Sequence, residues 1–500
     1  MTRISALGLA ALCFGAAPAF AITPEELWAA WQAQSAAQGQ TITAEATSRS
    51  GDTLALRGVS IAISPEDADL TVESDIGTVQ MRDIGGGAVE VTFADSYPIR
   101  IKGSNPDTGS MGSATLRVSQ PGMTIRASGT PTAISYAVAA PTLTITLEDF
   151  EAEDESVSAE ATMTFTGIAA AYTTTGADMA TIDGTFSVDA IAFDVAAQSP
   201  DNDGAVAMSG TSEALAGRVS GTMVPQLGTD AELPDMLRAG FAVNGGYTLG
   251  ATRFNFDFAE GGEQTRAAGA LTSAMFDIEL DAARIAYRTG TKGLDVTVSG
   301  GDLPFPELRV TLGELGIGFM LPLARTAEPT DFSVLARMVD LVVPDDVWAL
   351  GDPTGLLKRG PLTVILDAVG KARVTTDLLD PGAMDGAPPG ELHALTLGEL
   401  QVKGAGADLT GKGGFTFDNS DLASFDGLPR PTGAIDLQLV GGNALLDALV
   451  AMGMIPDDQV MAARMMLGLF ARPGAGPDTL VSRIEVTPEG AVLANGQRIR

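Results

Sequence analysis

Between Thr142 and Phe165 one pattern appears twice. Leu143, Ile145 and Leu147 alternate with threonines, the acids Glu151, Glu153, Asp154 and Glu155 follow, and then Val157, Ala159, Ala161, Met163 and Phe165 alternate again. A period of two on both sides of a charged turn predicts an antiparallel hairpin with one buried and one solvated face. Most of the chain repeats this. Ile42, Ala44 and Ala46 lead over Ser50-Gly51-Asp52 to Leu54, Leu56, Val59, Ile61 and Ile63, and Met123, Ile125 and Ala127 lead over Ser128-Gly129-Thr130-Pro131 to Ile134, Tyr136 and Val138. Phe186, Val188, Ala190 and Phe193 continue it, then Phe254, Phe256 and Phe258, then Phe276, Ile278 and Leu280. Turn residues recur at short intervals with no long helical segment between them, so the expected fold class is mainly β with minor helix, a large curved antiparallel meander and not a set of βαβ units. Every second side chain is expected to enter a shared dry interior, and the edges of so long a sheet need protection.

Helical spacing interrupts the alternation in few places. Residues 22–40 predict an amino-terminal amphipathic helix. Thr23 is placed to cap, Pro24 suits the first helical position, Glu26 completes a capping box, and Leu27, Trp28 and Trp31 share a face. That face is expected to pack on the sheet. A helix lying in a membrane interface carries Lys and Arg on its polar side, whereas this one has only Glu25 and Glu26. Residues 41–300 form the antiparallel β region. Near residue 300 Leu303-Pro304-Phe305-Pro306 breaks the pattern, and 301–500 read as β-rich with short helices, one of them over Phe332, Leu335, Ala336 and Val339 with Asp331 as its cap. Asp380–Gly390 reads as an exposed loop. A helical hairpin is expected over 443–471, built from Leu445, Leu446, Leu449 and Val450, then Val460, Met461, Met465, Leu469 and Phe470. A terminal β-hairpin is expected over 480–499.

The first residues predict export from the cytoplasm. Arg3, the apolar run Ile4–Ala17 and Ala19-Phe20-Ala21 have the form of a secretory signal peptide, residues 1–21. Leu12 and Phe14 around Cys13 do not fit a lipid-attachment site, and the run is too short to span a bilayer, which takes about 20 residues. Cleavage after Ala21 leaves 479 residues (500 − 21) without a cysteine, hence without disulfides or a thiolate nucleophile. The basic residues fall from 30 to 29 against 63 acids, a formal charge of −34. This disfavours nucleic acid and anionic headgroups as partners. With 45% hydrophobic residues the acidity overlies an apolar interior.

The Trp28-x-x-Trp31 helix, the segment Val343-Pro344-Asp345-Asp346-Val347-Trp348 with Asp352-Pro353, and the closing pattern from Gly433 to Asn495 resemble DUF 2125, an alphaproteobacterial periplasmic family of unknown function. The ending also resembles, more distantly, the carboxyl ends of AsmA-like envelope proteins. The first resemblance brings no catalytic residues. The second implies a curved β-rich body with a role in outer-membrane lipid homeostasis.

Candidate chemistry is sparse. His393 is the single histidine, which excludes a two-imidazole zinc site, and no Gly-x-Ser-x-Gly elbow accompanies it. Gly406-x-x-x-x-Gly411-Lys412 is half of a phosphate loop, but Gly413 stands where a magnesium-binding Ser or Thr belongs, and Phe415-Thr416-Phe417-Asp418 reads as a strand, so the segment is expected to be a hairpin turn. Asp345, Asp346 and Asp352 beside Trp348 are candidates for calcium or for an acid/base pair, with a solvated or capping role the expected one. Asp201-Asn202-Asp203-Gly204 has calcium-loop residue types without the closing Glu and reads as a turn. No catalytic, cofactor-binding or metal-ligating residue is assigned. The expected role is a periplasmic, non-enzymatic protein that binds lipid or acyl chains or serves as an envelope scaffold, with lipid or an envelope protein as partner. A secreted or surface structural, adhesin-like protein is the alternative, and an acid/base hydrolase using the Asp345 region is the third reading.

Overall fold

The computed structural model describes residues 21–37, 39–63, 70–104, 110–152, 157–176, 180–199, 203–224, 231–301, 303–380 and 389–500. The segment up to Phe20 expected to be a signal peptide, the acids Glu153, Asp154 and Glu155, the pair Asp201-Asn202 and most of the segment Asp380–Gly390 expected to be a loop lie outside these residues. Among the described residues, 26 strands form one antiparallel sheet.

Their registers reduce to a plain up-and-down meander. Ala88–Thr92 and Ser96–Ser104 lie end to end against the single strand Leu70–Asp83, with Val89 opposite Asp83 and Ile99 opposite Ser74. Met111–Ser119 and Thr124–Thr130 lie in the same way against Ala133–Ala152. The arrangement recurs where Ala242–Leu249 and Thr252–Glu260 together line Gly204–Met223, and where Glu263–Leu271 and Ser273–Leu280 together line Arg284–Gly300. These short strands are interrupted halves of long ones, so each strand of the meander pairs with its predecessor and its successor. The pairing continues across residue 300, where Val298 faces Leu308.

The amino-terminal helix, Pro24–Ala37, starts with the expected capping box: the Thr23 N–H donates to Glu26 Oε2 at 2.9 Å and the Glu26 N–H donates to Thr23 Oγ1 at 3.3 Å. Its apolar side packs on the sheet. Leu27 and Trp28 join Ile22, Leu54, Leu56, Val79, Met81, Val89 and Val91 in the one buried cluster around the helix. Glu25 pairs with Arg49 on strand Gln40–Ser50, while Trp31 Nε1 donates to Tyr136 Oη at 3.3 Å, five strands further along the meander. On a flat sheet that separation is about 24 Å, at least twice the ~10–12 Å width of a helix. The sheet therefore curls around the helix at this end.

Two expectations need correction. The segment expected to be helical over Phe332–Val339 is the strand Thr330–Leu341. Phe332, Val334, Ala336 and Met338 also satisfy a period of two, and paired strands on both sides override the local helical spacing. The interior, moreover, is not dry throughout. The buried cluster is confined to the helix-filled end, and beyond it most strand residues stay half-exposed. The carboxyl-terminal helical hairpin is present as Gly442–Ala451 and Asp457–Phe470, and the terminal strands as Thr479–Val486, Val492–Ala494 and Gln497–Arg498. Short helices at Leu233–Arg238 and Asp345–Gly351 complete the described helices.

Candidate functional site

Residues directly opposite one another on antiparallel strands share a face, so the registers allow one row to be followed across the sheet. From the helix-filled end it runs Leu54, Met81, Val91, Ile125 and Val138. It continues through Ala170, Phe186, Gly217, Tyr247 and Phe276. Past Thr289 it reaches Ile317, Ala336, Leu366, Leu400, Gly411 and Leu437. No member is charged. Leu54 is 3% exposed and Met81 and Val91 0%, yet Tyr247 is 41%, Leu366 38% and Ile317 51% exposed. The same apolar face is therefore sealed by the helix at one end and open in the middle of the sheet. A contiguous exposed apolar surface of this kind marks a binding surface in a folded protein.

Relief on the face is kept low by aromatic rings that lie over glycines of neighbouring strands. A Cβ added at Gly217 would meet the Phe186 ring, one at Gly269 the Phe254 ring, and one at Gly370 the Phe332 ring. At the centre Tyr247, Phe276, Tyr287 and Phe319 form a continuous ladder, with ring centroids 5.6, 5.5 and 5.8 Å apart. Such pairs contribute about 0.5–1.5 kcal/mol each beyond area burial. They help order a layer that has no second layer to pack against.

The opposite face is ionic. Arg117 pairs with Glu148, Arg126 and Arg82 with Glu90, Arg218 with Asp277, Arg266 with Asp257, Arg309 with Asp295, and Arg483 with Asp436. Hydrogen bonding from Arg82 holds the Glu90 carboxyl below its ordinary range, and Arg117 and Arg309 do the same for Glu148 and Asp295. Cross-strand pairs of opposite charge support the ladder. They also fix which side of the sheet is polar.

The residues singled out in the sequence do not converge. Asp345 pairs with Arg359 at 3.0 Å, and Asp346 is exposed. Asp352 is wholly buried. It accepts hydrogen bonds from the Leu356 N–H at 3.0 Å, the Leu357 N–H at 2.7 Å and Thr354 Oγ1 at 3.0 Å. Burial drives its pKa upward, and these bonds outweigh that and leave it below its ordinary value. Trp348 is half-buried beside them. His393 is half-buried in strand Gly390–Gly404, with Nε2 3.4 Å from Glu391 Oε2, and Arg373 also binds that carboxylate. Gly406 and Ala405 form the tight turn between Gly390–Gly404 and Ala407–Asp418, both with positive φ, and Gly411, Lys412 and Gly413 lie in the second strand. Asp203 is a turn residue with positive φ, and Gly204 begins the strand Gly204–Met223. Among the described residues no three His, Cys, Asp or Glu side chains gather into a metal-binding group, and no helix is long and apolar enough to cross a membrane.

The sequence reading passed over Tyr247, Tyr287, Ile317, Phe319 and Leu366. The alternation of Leu315, Ile317 and Phe319 with Gly316 and Gly318 was the available signal, but only the register shows that these side chains share one open surface. No curated protein and no solved structure matches the chain. Residues 253–494, which begin at the middle of the open face and include the helical hairpin, match the family described as an uncharacterized protein conserved in bacteria (DUF2125).

Proposed function

We propose that this is an exported, non-enzymatic envelope protein that holds the acyl chains of lipids along the open apolar face. The observation that carries the reading is the single uncharged row from Leu54 to Leu437, sealed at one end and half-exposed over Tyr247, Ile317 and Leu366. A linear hydrocarbon matches a long, uncharged floor of strands whose ionic groups point the other way. The amino-terminal Arg3, apolar run and Ala19-Phe20-Ala21 support export to the periplasm. A non-catalytic role is supported by Asp352, whose carboxylate is engaged by backbone and hydroxyl donors, and by Asp345, which is engaged by Arg359.

The test is mass spectrometry of lipid that co-purifies with the full chain from an envelope fraction, followed by titration of the delipidated protein with a fluorescent fatty acid. Bound phospholipid or fatty acid is expected. Ile317→Asp together with Leu366→Asp is expected to weaken fatty-acid binding at least about tenfold, since a charge on the floor must be desolvated, while circular dichroism stays unchanged. Absence of co-purified lipid combined with no fatty-acid binding would overturn the proposal.

A further inference from the structure

The apolar face ends under the helical hairpin. One of its rows runs Leu315, Met338, Val364, Val402, Leu409 and Leu439, and Leu439 opens into a cleft of about 440 Å³ between the last strands and the two helices. Ala407 and Leu439 form its floor, Leu446 one wall, and Ala463, Leu467 and Phe470 the other, with no polar surface in the lining. A volume of this size lies within the range of small-molecule sites, about 300–1,000 Å³.

The hairpin is held at its roots and loosely packed elsewhere. Asp478 accepts from the Asn443 and Ala444 N–H groups and from Asn443 Nδ2 at the start of the first helix. Phe470 O, at the end of the second, accepts from Ser482 Oγ at 2.6 Å and Asn495 Nδ2 at 3.0 Å. Arg464 joins the two helices through Asp447. Between these ties only Gly442 in the first helix and Val460 in the second are buried. The apolar side chains facing the sheet therefore leave a gap that they do not fill themselves.

We infer that this cleft takes the methyl end of an acyl chain whose remainder lies on the open face, an inference that rests on the acyl-chain reading above. The lining excludes a headgroup, since a carboxylate or phosphate placed there would find no donor. Continuity with the row ending at Leu439 gives a linear chain a path from the middle of the sheet into the cleft. The hairpin thereby fixes which way round the lipid lies, methyl end beneath the helices and polar end in the solvent above the open middle of the sheet, where Tyr247 and Ile317 are half-exposed.

Photolabelling with two palmitic acids tests this, one carrying a diazirine at the chain terminus and the other a diazirine next to the carboxyl group. On the full chain, the terminal probe is expected to label peptides spanning Ala444–Leu449 or Ala463–Phe470, and the carboxyl-side probe to label the strands that carry Ala336 and Leu366, three to four strand spacings of about 4.8 Å away. Ala463→Trp, which fills the cleft, is expected to reduce terminal labelling at least about fivefold while mid-sheet labelling persists. Terminal labelling confined to the middle of the sheet, or unaffected by Ala463→Trp, overturns the cleft and leaves the open-face reading standing. If neither probe labels above a heat-unfolded control, both fall.

Discussion

At Gly217 a backbone position is reserved for a neighbour's ring. Phe186 lies where a side chain would be, and the Gly246 carbonyl closes the other side. Gly217→Val is therefore expected to cost about 1–3 kcal/mol through overpacking, read from the urea midpoint. Phe186→Ala in the same chain should recover part of that loss, because the two changes compete for one volume and do not add. The pair was not legible in the sequence. Phe186 was visible as one member of an alternating run, but the glycine beneath it lies 31 positions away and is identified only by register. Asp352 makes the same point. In the sequence it stood with Asp345 and Asp346 as one acidic group, and burial separates it from them into a fully engaged backbone anchor. Residue type shows what a side chain is able to do, whereas burial and register decide what it does.

At the scale of elements, hairpins and caps were legible because their causes are local. The Thr23–Glu26 capping box, the alternation across Thr142–Phe165 and the Gly453–Pro456 break between the last two helices all act within a few residues. Strand Thr330–Leu341 was misread because Phe332, Leu335, Ala336 and Val339 satisfy helical spacing, while its neighbours in the sheet supply the pairing that local pattern cannot show. The distribution of the core was equally hidden, since alternation reveals that a face is apolar and not whether anything covers it. This makes the elements unequal in energy. Leu27→Ala, in the sealed end beneath Trp28, is expected to cost about 2–5 kcal/mol. Ile317→Ala, on the open face, should cost only about 0.5 kcal/mol, the scale of a surface substitution. Equal losses at the two positions in urea unfolding would show that the middle of the sheet is covered in solution.

For the whole molecule, charge and architecture act against each other. Over much of its span the described sheet has no second layer, and Tyr247, Ile317 and Leu366 stay half-exposed. The chain's net charge of −33 keeps such surfaces apart in solution and at the same time repels itself. Lowering the pH from neutrality toward the isoelectric point near 4.2 removes that repulsion. Further acidification removes something else. Glu90, Glu148, Asp295 and Glu391 are held below their ordinary values by arginine, and Asp418 is held at about 2 by Ser420 and Arg430. A carboxylate with a depressed folded pKa contributes stability that is complete above its unfolded value and lost as pH falls through the folded one. For Asp418 that window runs from 3.8 down to about 2, and for the glutamates it opens at 4.5. Thermal melts are therefore expected to hold or rise from about pH 7 to about pH 5 and to fall steeply below about pH 4. At pH 7, about 0.5 M NaCl should raise Tm by screening the acidic excess. Near the isoelectric point the open face loses its electrostatic protection and the protein should precipitate, unless fatty acid is present to cover it. Protection by a fatty acid but not by an equally charged short-chain carboxylate would tie that solubility to the apolar face, and equal protection by both would refer it to charge alone.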